Sequence, residues 1–319
     1  MTVAPIPVTV IGGYLGAGKT TLVNRLLAGS SGERLAVLVN DFGSVSIDAT
    51  LIEAADGDTI RLANGCVCCS LAGGFVEALR RIADLDPRPD RLVVETSGVA
   101  DPAGVAQYAH LPGFELDAVV VLADAETVRR RADDALVGRH VRRQLAGADV
   151  VVLNKADLVD AGALERLRDW VRTVAPATPV VTAIEAEVGL ELLLGRRAAA
   201  IDGTDEPDAH DAHDGHDHLH HATVTVTGGV AVARDALDTA LAALDGDIVR
   251  VKGFVDLADT SGSVERVLVQ RVGARLRITP TPVVADGPAV LLVVIGLTGT
   301  ATLAAGHTLA RALDAQLDA

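Results

Sequence analysis

The sequence predicts an α/β protein, a mostly parallel sheet covered by helices, followed by a small α+β unit. Three observations lead there. Short aliphatic and β-branched runs recur as far as Ala183, alternating with stretches of helical spacing; uniformly apolar strands belong to parallel sheets buried on both faces. Glycines and polar residues gather directly after these runs, at the carboxyl ends of strands, where α/β folds collect ligands. Composition then breaks after Arg197: no Lys or Arg occurs again before Arg234.

The elements follow in order. Pro7–Ile11 is a β-branched strand, and Thr20–Ala28 has helical spacing, ended by Gly29 and Gly32. Leu35–Val39 is a buried strand running into Asn40, Asp41, Phe42 and Gly43. Ile60–Ala63 precedes a turn with three cysteines, and Phe75–Ala83 is helical. Arg91–Glu95 and Leu116–Leu122 are strands, the first ending in Thr96-Ser97-Gly98 and the second closing at Asp124. One long Arg-rich helix, Glu126 to Ala146, comes next; its Arg129, Arg130 and Arg131 read as a solvated face. Asp149–Leu153 is a strand delivering Asn154, Leu164–Val174 a helix, and Pro179–Ala183 the last strand.

Residues 1–197 thus form one domain. Residues 198–221 form a linker in which Asp residues interleave with His210, His213, His216, His218, His220 and His221, a low-complexity pattern read as disordered. Residues 222–319 form the second unit, with strands at Thr223–Thr227, Ile248–Val255, Val264–Val269, Arg275–Thr279 and Val290–Ile295, and helices at Arg234–Leu244 and Ala301–Leu317.

Composition narrows the function. A chain of 319 residues with 49% apolar content supports two folded cores, and 2% aromatics makes those cores aliphatic. A net charge of -15 argues against a nucleic acid or an anionic membrane as partner and favours a cation. The three cysteines lie within four residues, which indicates a reducing compartment and metal or redox chemistry rather than a disulfide framework. The N-terminus lacks the basic stretch of a signal peptide, and no apolar run approaches the roughly 20 residues of a membrane span. The expectation is a cytoplasmic protein.

Residues 13–20 fit G-x-x-x-x-G-K-[ST], the phosphate-binding loop of P-loop NTPases, between a strand and a helix. Gly13, Gly16, Ala17, Gly18 and Thr21 line a backbone nest for phosphates, Lys19 reaches the β- and γ-phosphates, and the Thr20 hydroxyl ligates Mg²⁺. Glu95 ends a strand where the second acidic residue of a P-loop NTPase belongs and is a candidate Mg²⁺ ligand, directly or through water; Gly98 is a candidate N–H donor to the γ-phosphate, and Asp41 a candidate for the metal shell. Asn154-Lys155-x-Asp157 has the residue types that grip guanine. The Asp157 carboxylate accepts from N1–H and the 2-amino group, Asn154 holds the purine edge, and the Lys155 stem covers the ring. Adenine would leave that carboxylate unpaired. Lysine occurs only at Lys19, Lys155 and Lys252, so two of the three lie inside these motifs. His110, His140 and His307 stand isolated and receive no role.

Cys66, Cys68 and Cys69 supply soft thiolates suited to Zn²⁺ or a similar ion. Three ligands leave one tetrahedral position open, which suits a transferable ion. The linker histidines could hold metal weakly.

These motifs, with Asn64-Gly65-Cys66-Val67-Cys68-Cys69 as the most specific, resemble the CobW-like GTPases, relatives of the HypB and UreG metal-insertion proteins. Arg250-Val-Lys252-Gly253 resembles the opening of their C-terminal domain. Tyr14 stands where that family usually has Phe, and Asp41 where it has Glu, a shorter reach toward Mg²⁺. The resemblance implies a metallochaperone that binds Zn²⁺ or Co²⁺ at the cysteines, hydrolyses GTP to GDP and phosphate, and delivers the ion to a client protein. With no glutamine placed to orient water, slow intrinsic turnover is expected. Two other classes remain open from the residues alone: a metal-buffering protein with regulatory nucleotide binding, and a small-molecule P-loop transferase.

Overall fold

The computed structural model describes residues 4–29, 34–40, 60–63, 71–176, 178–194, 222–244, 246–259, 261–281 and 287–318. The chain divides into two compact units, Met1–Leu194 and Gly195–Ala319.

In the first unit the strands are β1 (Ile6–Gly12), β2 (Leu35–Asn40), β3 (Ile60–Ala63), β4 (Arg91–Thr96), β5 (Phe114–Asp124), β6 (Val150–Asn154) and β7 (Val180–Thr182). They form a parallel sheet of seven described strands in the order β3-β2-β4-β1-β5-β6-β7. Every residue of β4 and β6 is buried, because both faces of the sheet are covered. The helices are α1 (Lys19–Ala28), α2 (Leu71–Ala83), α3 (Pro102–Ala106), α4 (Val128–Ala132), α5 (Gly138–Ala146), α6 (Ala161–Val174) and α7 (Leu190–Leu194). As expected the core is aliphatic, Val, Leu, Ile and Ala with Phe75 and Phe114. One charged pair enters the sheet: Arg91 Nη1 lies 2.7 Å from Asp117 Oδ2, with side-chain exposures of 5% and 2%.

Chain order makes β1 the turning point of the sheet, with β4 on one side and β5 on the other. The carboxyl ends of β1, β4, β5 and β6 are therefore neighbours, as the placement of the motifs required. Among the described residues no helix is long and apolar enough to cross a membrane.

The single helix expected over Glu126–Ala146 is two. α4 ends at Ala132 and α5 begins at Gly138. Asp134 causes the break: its Oδ1 accepts from the N–H groups of Leu136 and Val137 at 2.8 and 3.1 Å, a local turn that competes with helical bonding. Those two bonds hold the carboxyl below its ordinary value.

The second unit is an antiparallel sheet. β8 (Ala222–Gly228), β10 (Ile248–Ala258), β11 (Val264–Val272), β12 (Arg275–Pro280), β13 (Val290–Gly296) and β14 (Gln316–Asp318) run in the order β12-β11-β10-β13-β8-β14, and the short β9 (Val232–Ala233) pairs with β10. Helices α8 (Arg234–Ala242) and α9 (Gly299–Ala312) contribute Leu237, Leu241 and Leu309 to its core. The helix expected to reach Leu317 stops at Ala312: Asp314 takes φ +48 and the chain turns back as β14. There Leu317 stands opposite Val226 on β8 and packs on the core. Pairing of β14 covers an edge that β8 would otherwise present.

Candidate nucleotide site

β1 runs straight into the glycine loop and α1 begins at Lys19. Gly13, Gly16 and Gly18 have φ of +132, +77 and +101, so the loop turns its backbone as a phosphate nest does. Two of these glycines are also dictated by packing. A Cβ on Gly13 would overlap the Leu122 carbonyl oxygen, and one on Gly18 the Asn154 amide nitrogen. With Gly18 at the N-cap, the cap residue itself has no side chain to offer the first N–H groups of α1. That leaves the helix end suited to an anion. Lys19 is buried at its head, and Thr21 is exposed.

Thr20 and Glu95 meet as the motif reading requires. Parallel pairing of β1 and β4 sets Ile11 beside Glu95, and the Thr20 hydroxyl donates to Glu95 Oε1 at 2.8 Å. Glu95 is 2% exposed. A hydroxyl and a carboxylate held together beside a phosphate nest are oxygen donors of the kind Mg²⁺ takes, in the small number it uses. The residues present fit that ion. Gly98 lies in the turn after β4, against Leu15 of the glycine loop.

On the other side of the loop the structure adds to the expected roles. Asn154 Nδ2 donates to Ala17 O at 2.9 Å, and its Oδ1 accepts from Ala186 N–H at 2.7 Å. Expected at a purine edge, Asn154 is here a strut between the glycine loop and the loop after β7. Lys155 is left-handed at φ +61, and its Nζ pairs with Asp124 Oδ2 at 2.7 Å. The β5–β6 register, with Asp124 opposite Asn154, makes that pair possible. Asp124 also accepts from the Glu126 and Thr127 N–H groups. Asp157 sits exposed in a short 3₁₀ turn, Ala156–Leu158.

The arginine run is largely the solvated face expected, with Arg129 and Arg130 exposed, but Arg131 turns onto the glycine loop. Arg131 stacks on Tyr14, its guanidinium carbon 4.9 Å from the ring centroid, and Nη1 donates to Leu15 O at 2.5 Å. Arg129 and Arg142 both stack on Trp170 of α6, at 4.8 and 5.7 Å. Aromatic faces and a main-chain carbonyl within reach give these still largely exposed side chains partners. Residues outside every motif also build the site. Arg25 Nε of α1 donates to Glu185 O at 2.8 Å, steadying the loop after β7, where Glu185 and Ala186 both have positive φ. Gln144 of α5 is 2% exposed, and its Nε2 donates to Gly98 O and Ala100 O. No local pattern marks Arg25 or Gln144, because their partners are backbone atoms far away in the chain.

Asp41, Cys66, Cys68, Cys69 and the six linker histidines lie outside the described residues. Among the described residues no three His, Cys, Asp or Glu side chains form a group able to hold a metal ion.

Comparison with known proteins agrees with this geometry. Residues 7–182 match the family model of the CobW/HypB/UreG nucleotide-binding domain, and residues 222–315 that of the cobalamin synthesis protein cobW C-terminal domain. A protein named zinc chaperone CobW from Sinorhizobium sp is 32% identical over 308 residues, 85% of this chain and 86% of that one. One of the same name from Pseudomonas aeruginosa is 38% identical over 316 residues, 86% of this chain and 82% of that one. Zinc-regulated GTPase metalloprotein activator 1 of Schizosaccharomyces pombe is 34% identical over 182 residues, 53% of this chain and 44% of that protein. With the glycine loop, the Thr20–Glu95 pair and both domain matches in hand, the chain belongs to the CobW/HypB/UreG family, in the form that carries a CobW C-terminal domain.

Proposed function

We propose that this chain is a GTP-hydrolysing metallochaperone of the cytoplasm. It would hold a transition metal ion, zinc in the first place, on Cys66, Cys68 and Cys69 and deliver it to a client protein. One observation carries the nucleotide half: a glycine nest, Lys19 and the Thr20–Glu95 pair converge at the head of α1. The metal half is supported by three thiols within four residues, and by the names of relatives that cover most of the chain.

The residues divide the work as follows. Backbone N–H groups of the loop at Gly13, Gly16, Ala17 and Gly18 receive the phosphates, with Thr21 beside them, and Lys19 neutralises the β- and γ-oxygens. Thr20 and Glu95 would hold Mg²⁺, which when bound would spread the charge of the phosphates, with Asp41 as a further oxygen ligand. Gly98 donates to the γ-phosphate. Asp157 accepts from guanine, Asn154 helps hold the purine edge while bracing the loop behind it, and the stem of Lys155, paired with Asp124, covers the ring face. The nucleotide domain spans 1–197, and the linker 198–221 lends weak imidazole ligands from His210 to His221. Residues 222–319 form the C-terminal domain. The γ-phosphate orders the segment bearing the cysteines, and its hydrolysis releases the ion.

Linkage supplies the test: if the triphosphate tightens metal binding, metal must tighten triphosphate binding by the same factor. Zinc is titrated into the purified full chain with a non-hydrolysable GTP analogue or with GDP, for wild type and Cys68→Ser. The expected result is a nucleotide-dependent zinc affinity in wild type that Cys68→Ser removes. Equal affinity in the two nucleotide states would refute the switch.

A further inference from the structure

We propose that Gln144 is a positioning residue for the terminal phosphate of the nucleotide, acting by locking the turn Ser97–Ala100; the proposal rests on the nucleotide reading above. The buried Gln144 carboxamide forks onto two carbonyls, donating to Gly98 O at 3.2 Å and to Ala100 O at 2.7 Å. Within the turn, Ala100 N–H donates to Ser97 O at 2.9 Å.

A trans peptide is planar, and its C=O and N–H point in opposite directions. Pinning the Ser97 carbonyl therefore fixes the direction of the Gly98 N–H. Pinning the Gly98 carbonyl fixes the Val99 N–H in the same way. Gln144 thus holds the Val99 donor directly, through the Gly98 carbonyl, and the Gly98 donor through Ala100, the residue it anchors and whose N–H pins the Ser97 carbonyl.

The turn abuts the phosphate loop. A Cβ on Gly98 would lie 2.6 Å from Leu15 Cδ2 and 2.8 Å from Leu15 N. Helix α4, which precedes the helix that carries Gln144, grips that loop as well, since its Arg131 stacks on Tyr14 and donates to Leu15 O. Helices α4 and α5 thus set both the phosphate loop and the turn facing it. Donors aimed before charge arrives need no reorganisation when it does. The group that senses this turn is the terminal phosphate, which distinguishes GTP from GDP. Gln144 itself touches the turn and not the nucleotide.

Gln144→Met keeps the volume and removes both donors. Dissociation constants of the full chain for GppNHp and for GDP, each with Mg²⁺, are measured by calorimetry, and GTP hydrolysis is followed in a single turnover. GppNHp binding is expected to weaken about tenfold, what one charge-assisted hydrogen bond provides. The hydrolysis rate should fall with it, while GDP affinity stays within about twofold, below the effect of one such bond. Equal weakening of both ligands, as a general structural role would give, overturns the proposal, and so does no change in either. If Gln144→Met does not fold, Gln144→Asn keeps a neutral carboxamide too short to reach both carbonyls and is judged by the same ratio. A wild-type chain that binds neither guanine nucleotide overturns the reading of the site itself. A wild type that binds both, with the ratio unchanged in the variant, overturns only the role of Gln144.

Discussion

Replacing Asn154 by alanine tests the strut that joins the phosphate loop to the loop after β7. The side chain is 2% exposed, and its two bonds, 2.9 Å to Ala17 O and 2.7 Å from Ala186 N–H, reach partners at 1% and 0% exposure. Truncation strands a buried acceptor and a buried donor, each costing about 1–3 kcal/mol unless water enters, so the loss is about 3 kcal/mol. Trp170, the only tryptophan, lies on α6 and reports on the first unit alone. Its fluorescence in a urea titration should place the Asn154→Ala midpoint about 1 M below wild type, given a slope of roughly 2–3 kcal/mol/M for a unit of this size. Asn154→Asp keeps the acceptor for Ala186 and sets a carboxylate oxygen against the Ala17 carbonyl; it should be no more stable than the alanine variant. A midpoint for Asn154→Ala within about 0.2 M of wild type corresponds to less than one net hydrogen bond, and would refute the strut.

Three other perturbations bear on the same unit. Asp117→Ala leaves the Arg91 guanidinium without the 2.7 Å carboxylate beside it, and should lower stability by about 3–5 kcal/mol, read by Trp170 fluorescence; a loss below about 1 kcal/mol, the range of an exposed pair, would contradict a buried one. Asp134→Ala should be less stable than wild type at neutral pH. Because bonds from Leu136 and Val137 hold this carboxyl below its ordinary value of 3.8, its contribution is complete above that pH and is lost as pH falls further; thermal melts should show the gap closing in acid, and a constant gap argues against the cap. In wild type, removing Mg²⁺ with EDTA should weaken GppNHp binding; Thr20→Ala should shrink that Mg²⁺ dependence by about 10- to 100-fold, and an unchanged dependence would remove Thr20 from the metal shell.

Much of the fold was legible because apolar strands and glycine punctuation are local signals. Val150–Leu153 could be read as a buried strand from four residues, and Gly13 to Thr20 as a phosphate loop from eight. What escaped was set by tertiary or competing local chemistry. Asp134 split the helix expected over Glu126–Ala146, although its arginines and apolar positions keep helical spacing on both sides. The last helix gave way to β14 because β8 offered an edge to pair with, which periodicity in Ala301–Leu317 does not register. In the site, Lys19, Thr20 and Glu95 were legible from the motif. Gln144, Arg25 and Arg131 were not, since each acts on main-chain carbonyls that any sequence supplies.

The motif residues serve the scaffold and, under the proposed function, a ligand as well. Gly13 makes room for the Leu122 carbonyl, Gly18 for the Asn154 amide, and Asn154 holds Ala17 and Ala186 together. Lys155 meets Asp124 because β5 and β6 pair in a fixed register. A substitution at any of these positions therefore changes loop packing and ligand binding at once, and activity alone cannot apportion the two effects. Only a comparison in which packing is common to both measurements can. Triphosphate against diphosphate affinity would isolate the donors proposed to face the terminal phosphate. Binding with and without Mg²⁺ would isolate the proposed roles of Thr20 and Glu95. Zinc affinity in two nucleotide states would isolate the proposed coupling between phosphate and thiol.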